Sequence, residues 1–262
     1  YPKIFDDATV GAEAKRLFTE ATKLMNDLVK SKKLRGSAII EIWPANSVGD
    51  DIELYSDETR KTLVGKFHTL RQQNQKETVE PYFAMSDFIA TKEPGIADYV
   101  GAFACSAGFG VDALCAEYAK DSDDFHSILV KAIADRLAEA LAEHLHRELR
   151  RTIWGYVHDE ALTPDDCIGV RYQGIRPAPG YPTQPDHTEK STMWKLMNIT
   201  GETGIELTES LAMMPAASVS GLYFASPKAH YFSLGKVGED QVKDYSARKA
   251  MKIDDCERWL GS

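Results

Sequence analysis

Apolar side chains first recur at helical spacing. Val10, Ala14, Leu17, Phe18, Ala21, Leu24, Met25 and Leu28 predict an amphipathic helix over residues 10–28, closing on Lys30, Lys32 and Lys33. Residues 38–43 then read as a buried strand, 44–51 as a turn and 52–55 as a second, alternating strand, which makes a hairpin. The pattern over 62–70 fits helix or strand equally. Residues 99–105 predict a short apolar strand and 111–118 a short helix. The strongest helical period covers 125–154, from Phe125 through Ile133 and Leu141 to Leu149, with Ser122 or Asp123 as its cap. Residues 175–185 are proline-rich, and a helix follows from 188 to 197. Three more strands are expected at 205–208, 218–224 and 231–234, and two closing helices at 241–249 and 254–260. Strands and helices do not alternate regularly, so an α+β fold with a mostly antiparallel sheet flanked by helices is expected, rather than a doubly wound one. No repeat or low-complexity linker divides residues 1–262, which predicts a single domain.

Composition narrows the function classes. The 262 residues carry a formal net charge of -9, which argues against nucleic-acid or anionic-membrane partners, since both demand basic surface. The first apolar stretch is interrupted by Lys15, Arg16, Glu20 and Lys23, unlike a signal peptide. No apolar run approaches the roughly 20 residues that span a bilayer. Cys105, Cys115, Cys167 and Cys256 are widely separated, fitting neither a disulfide framework nor a zinc site. Cys105 and Cys115 are expected in the core, and the cytoplasm is the expected compartment.

Three motifs carry possible chemistry. Gly108-Phe-Gly110-Val-Asp-Ala113 sits between a strand and a helix, as a dinucleotide fingerprint would. The acidic residue such a site wants about 20 positions on would fall inside the long helix, so a plain glycine turn is the better reading. His144 and His146 point about 200° apart on a helix and cannot share a metal, so no metal site is expected. Asp135, Glu139 and Glu143 share a helix face, which by itself is an ordinary solvated stripe. The segment Arg176-Pro-Ala-Pro-Gly-Tyr-Pro182 with Pro185-Asp-His187-Thr-Glu-Lys190 is different in kind. Its prolines fix φ, so docking a ligand orders little, and Gly180 removes a side chain where the backbone approaches something. An arginine fork, a tyrosine plate and a histidine flank that rigid stretch, which suggests a small-molecule site.

This segment resembles the signature of the activation domain of cobalamin-dependent methionine synthase. The similarity continues through Tyr1-Pro-Lys-Ile, Pro44-Ala-Asn, Gly49-Asp-Asp-Ile-Glu, Leu70-Arg-Gln-Gln, Ser86-Asp-Phe-Ile-Ala, Asp135-Arg-Leu-Ala-Glu139-Ala, Leu207-Thr-Glu-Ser-Leu-Ala-Met and Val219-Ser-Gly221. The resemblance implies a clamp-like fold with a curved sheet. It also implies a role in methionine biosynthesis, in which S-adenosylmethionine and one electron return oxidised cobalamin to methylcobalamin. The implied partners are a separate cobalamin-binding module of the same enzyme and a flavodoxin or diflavin reductase. Carried over position by position, the S-adenosylmethionine site would comprise Glu139, Arg176, Ala178, Gly180, Tyr181, Tyr231 and Phe232. Asp135 and His187 would face the cobalamin module. Arg176 suits the methionine carboxylate, Ala178 and Gly180 backbone contacts to the adenosine, and Tyr181 or Tyr231 the sulfonium. Glu139 would accept from an amino group or hydroxyl.

The family also has residues before Tyr1, including a ligand-site aspartate, and a tail beyond Trp259-Leu260. The site in this chain is therefore expected to be incomplete and its affinity weak. No side chain is expected to act as a nucleophile, since the implied nucleophile is reduced cobalt. Two rivals remain open: a docking module for reductase and cobalamin domain without ligand binding, and a standalone Rossmann methyltransferase, which the setting of Gly108 disfavours.

Overall fold

The structure, a computed structural model, describes residues 2–76, 79–93 and 95–261. Tyr1 of the first family motif lies outside the described residues. The elements follow in the order α1 (Gly11–Ser31), β1 (Arg35–Val48), β2 (Asp51–Tyr55), β3 (Leu63–His68), β4 (Asp98–Phe109), α2 (Val111–Lys120) and α3 (Asp124–Glu148). Then come α4 (Pro164–Ile168), α5 (Glu189–Met197), α6 (Ile199–Thr203), β5 (Glu206–Leu207), β6 (Met213–Met214), β7 (Ser218–Tyr223), α7 (Glu239–Lys249) and α8 (Ile253–Leu260). Five strands form one sheet in the order β3-β2-β1-β4-β7, every neighbouring pair antiparallel. β5 and β6 pair separately. The fold is α+β, as the irregular alternation of elements predicts.

Three boundaries depart from the sequence pattern, and one open reading is resolved. β1 does not stop at Trp43 but runs through Pro44 to Val48, and the hairpin turns over Gly49 and Asp50. Proline is tolerated because the β1–β2 ladder begins only at Ala45, paired with Leu54. β4 continues through Gly108 to Phe109, so that glycine is a strand residue and not a turn. The ambiguous stretch at 62–70 is strand β3, which pairs with β2. Residues 231–234 form no strand. Their backbone bonds go elsewhere: Leu234 N–H to Pro182 O at 3.2 Å, and Gln73 N–H to Leu234 O at 2.6 Å.

Side-chain alternation gives the sheet two buried faces. One gathers Trp43, Ile52, Leu54, Phe67, Val100 and Leu222 under Met193 and Met197 of α5. The other gathers Phe103, Cys105 and Tyr223 under α3 through Ala142 and Leu149. Buried Ala134, Ala138 and Ala142 lie at i, i+4 and i+8, so α3 presents a stripe of small side chains. That stripe brings the helix so close that the Cys105 thiol reaches Ala138 O at 3.8 Å. Glu139 and Glu143, on a neighbouring face of α3, are thereby carried towards the β7 edge. α3 opens on Asp123, whose side chain accepts from His126 N–H, and ends in one π turn, Leu149–Ile153. α7 and α8 pack separately through Val242, Tyr245 and Cys256 against Leu70 and Leu234. Cys105 is buried, Cys115 half-buried, and all four cysteines are free. Among the described residues no helix is long and apolar enough to cross a membrane.

Candidate functional site

The proline-rich segment is laid along β7 as a strap. Ile175 and Phe224 exchange both backbone bonds at 3.1 Å, and Leu222 N–H donates to Pro177 O at 2.9 Å. Prolines 177 and 179 have no N–H to leave unpaired, so few bonds to β7 suffice. Its close approach requires Gly221, where a Cβ would stand 2.7 Å from Pro177 O. Past Ala178 the strap turns: Tyr181 N–H reaches Ala178 O at 3.3 Å and Gln184 N–H reaches Tyr181 O at 2.8 Å. The irregular segment around Tyr231 is pinned to it at three points, one being the Leu234 N–H bond to Pro182 O. Thr183 hydroxyl donates to Phe232 O at 2.7 Å, and Arg176 N–H donates to the Tyr231 hydroxyl at 3.0 Å.

Between strap, α3, β7 and the Tyr231 segment lies a cavity of about 470 Å³, within the roughly 300–1,000 Å³ of small-ligand clefts. Its walls include Glu139, Arg176, Ala178, Tyr181, Tyr231 and Phe232, with Thr183, Val219 and Ser233 between them. Tyr181 and Tyr231 are exposed at 62% and 46%, so two aromatic rings stand at an open mouth.

Arg176 is held from three sides. Its Nη2 meets Glu143 Oε2 at 2.7 Å, and its Nη1 donates to the Tyr172 hydroxyl at 2.9 Å and to His146 Nδ1 at 3.3 Å. Burial alone would lower the guanidinium pKa, but Tyr172 and Glu143 outweigh it and hold it above its ordinary value. His146 must be neutral to accept from an arginine. Burial, with the charges of Arg150 and Arg176, pushes it down to about 2. The imidazole lies flat on Tyr223, centroids 5.0 Å apart at 24°, and Tyr223 lies flat on Phe103 at 4.7 Å. Behind it, fully buried Arg150 makes a two-pronged ion pair with Glu160, both contacts 2.7 Å, and lies 4.1 Å over the Tyr172 ring. Glu143 Oε1 and His146 Nε2 are buried without a protein partner.

Six of the seven residues that the family resemblance nominates, Glu139, Arg176, Ala178, Tyr181, Tyr231 and Phe232, line this one cavity. Gly180 does not. Its N–H is taken by Gln184 O at 2.7 Å, and the group that demands a glycine there, at φ +100°, is the His187 ring, which a Cβ would overlap. The backbone contact expected from Gly180 to an adenosine is therefore not available from its N–H. Asp135 is exposed on α3, two turns before Glu143. His187 is half-buried, its Nδ1 3.0 Å from Lys190 Nζ, and burial and that lysine lower its pKa.

Glu143, His146 and Tyr172 are the residues the sequence pattern passed over. Glu139, Glu143 and His146 share a helix face at i, i+4 and i+7, so the acidic stripe had a signal for a site once its end was seen to be buried. His144 is exposed while His146 is buried, as their spacing requires. Tyr172 has no signal short of the folded strap.

The chain matches the family described as vitamin B12 dependent methionine synthase, activation domain, over residues 1–250. Among solved structures it is similar to the crystal structure of the MetH reactivation domain bound to AdoHcy. The sequences are 48% identical, the TM-score is 0.96, and the match covers 100% of this chain and 80% of the other. The chain thus belongs to the activation-domain family of vitamin B12-dependent methionine synthase.

Proposed function

We propose that residues 1–262 form one domain that binds S-adenosylmethionine in the strap cavity and presents it to a cobalamin module of the same enzyme. The observation that carries this reading is the convergence of a fixed guanidinium, a carboxylate and three aromatic rings on one cavity of suitable size. The similar MetH domain was solved with AdoHcy, the demethylated form of that ligand. Arg176 binds the methionine carboxylate, using donors that Glu143, Tyr172 and His146 leave free. Tyr181, Tyr231 and Phe232 provide ring faces for the sulfonium and the adenine. Glu139 accepts from the amino group or a ribose hydroxyl. Asp135 and His187 face the cobalamin module.

When bound, the ligand supplies a methyl group on a positively charged sulfur, for a reductive methylation in which cob(II)alamin, one electron and S-adenosylmethionine give methylcobalamin and AdoHcy. The electron comes from a flavodoxin or diflavin reductase in the cytoplasm. The chain's own contribution is orientation, since its side chains hold the methyl donor in line with the cobalamin module and none acts as a nucleophile. The isolated domain is accordingly expected not to methylate homocysteine.

Calorimetric titration of the chain with S-adenosylmethionine tests the reading. Saturable binding at one site is expected. An absence of heat and of any thermal shift would favour the rival role, a docking module without a ligand.

A further inference from the structure

The charges around the cavity do not balance. Among the described residues that line it, Glu139 and Arg176 alone are charged. Arg176 is already engaged by Glu143 at 2.7 Å, from one helical turn beyond Glu139 on α3. Counting Glu143 behind the wall, two carboxylates stand against one guanidinium. Glu143 is no freely solvated surface acid, because its Oε1 is buried and its Oε2 is spent on Arg176.

We propose that Glu143 is a specificity-determining residue of this cavity. By pairing with Arg176 it leaves the wall with a net negative charge that favours a positively charged sulfonium nucleoside over its neutral thioether counterpart. The proposal rests on the ligand reading given above. At neutral pH S-adenosylmethionine carries an ammonium, a carboxylate and a sulfonium, and AdoHcy lacks only the last charge. Contacts to carboxylate, amino group, ribose and adenine are common to both, so they cannot separate donor from spent product. What differs lies at the sulfur, where the ring faces and the field of the charged groups around the cavity act. Were Arg176 unpaired, its charge would offset Glu139 and the charged groups would give the sulfonium no preference. Glu143 cancels that offset, so AdoHcy is released in exchange for a fresh donor while Arg176 keeps its aim on the carboxylate.

The test measures both dissociation constants, for S-adenosylmethionine and AdoHcy, by calorimetry on wild type, Glu143→Gln, Glu143→Asp and Glu139→Gln. Glutamine keeps the shape and an oxygen for Arg176 but removes the charge. The ratio favouring the sulfonium is expected to fall roughly fivefold in Glu143→Gln, the order for one charge removed across a partly screened cavity. It should stay near wild type in Glu143→Asp and shrink in wild type at high salt. An equal loss of affinity for both ligands, with the ratio unchanged, would overturn the proposal and reduce Glu143 to an aiming device. Should Glu143→Gln not fold, exposed Glu139→Gln carries the same test, and an unchanged ratio there counts against the proposal equally. Failure of wild type to bind either ligand would overturn the ligand reading itself, and this inference with it.

Discussion

The two ends of the proline strap are anchored by charged groups, and they are finished differently. At the far end Asp186 is fully buried and saturated. Its carboxylate accepts from Thr188 N–H, the Thr188 hydroxyl and the Tyr245 hydroxyl, each at 2.7 Å, and from Lys249 Nζ at 2.6 Å. Lys249 also reaches Glu189, and Gln184 Nε2 donates to His68 O at 2.9 Å, which ties the same end to β3. At the near end Arg176 is partly exposed and its partners Glu143 and His146 each keep a buried polar atom without a protein contact. Buried Gln184 Oε1 and Glu189 Oε2 at the far end also lack a protein partner, so unpaired atoms do not separate the two ends. What separates them is access: Asp186, Glu189 and Lys249 are closed off in the interior, while Arg176 borders the cavity. The comparison teaches that a buried charge cluster can hold the strap's geometry while one at a cavity wall can also meet a ligand.

The largest expected effect breaks the clamp. Lys249→Met leaves Asp186 and Glu189 buried without a cation, and should cost about 3–5 kcal/mol of unfolding free energy in urea titration. A loss below about 1 kcal/mol would mean that the far end does not hold the strap.

Next in size is Arg176→Ala at the open end. A charge-assisted bond is worth about 1.5–3 kcal/mol, so S-adenosylmethionine affinity should fall roughly ten- to hundredfold by calorimetry. Wild-type affinity in that variant would remove Arg176 from the ligand site.

Within the clamp the two carboxylates should part company with pH. Asp186 is subject to burial, which raises its pKa, but Lys249, Tyr245 and Thr188 outweigh burial and hold it below the ordinary carboxylate range. It contributes stability that is present above the ordinary value of 3.8 and lost as pH falls through the folded one. Burial wins at Glu189 and holds its pKa above 4.5 despite Lys249. The unfolded state then releases that proton first, so stability falls as pH rises from 4.5 towards the folded value. Glu189→Gln should remove this slope and stay within about 1 kcal/mol of wild type near neutrality. A loss comparable to that of Lys249→Met would show that Glu189 is needed as an anion.

The smallest expected effect is none at all. His146, pushed down to about 2 chiefly by burial, stays neutral as an acceptor for Arg176. Ligand affinity should therefore show no histidine step between pH 5 and 8 that His146→Asn abolishes. Such a step would place a proton at the open end and reverse the hydrogen-bond assignment.

Local pattern was enough for α1, α3, α5, α7 and α8, because a period of 3.6 is written into each segment and needs no partner to be read. It misled at Pro44 and at residues 231–234. Whether proline breaks a strand depends on which neighbour its nitrogen faces, and whether an apolar run pairs depends on a free sheet edge. The β7 edge is taken by the strap.

The sequence by itself determined the fold class, every helix but the short α4 and α6 and, through the strap motif, the family. Through the family resemblance it also nominated six residues that line one cavity. Only the tertiary structure decided that Gly180 makes room for His187, that Arg176 is already paired with Glu143, and that Lys249 closes on Asp186. These depend on how closely α3 and α7 approach the strap. That approach is set by a stripe of alanines on α3 and by apolar packing under α7, in which no pairing of charges is encoded locally.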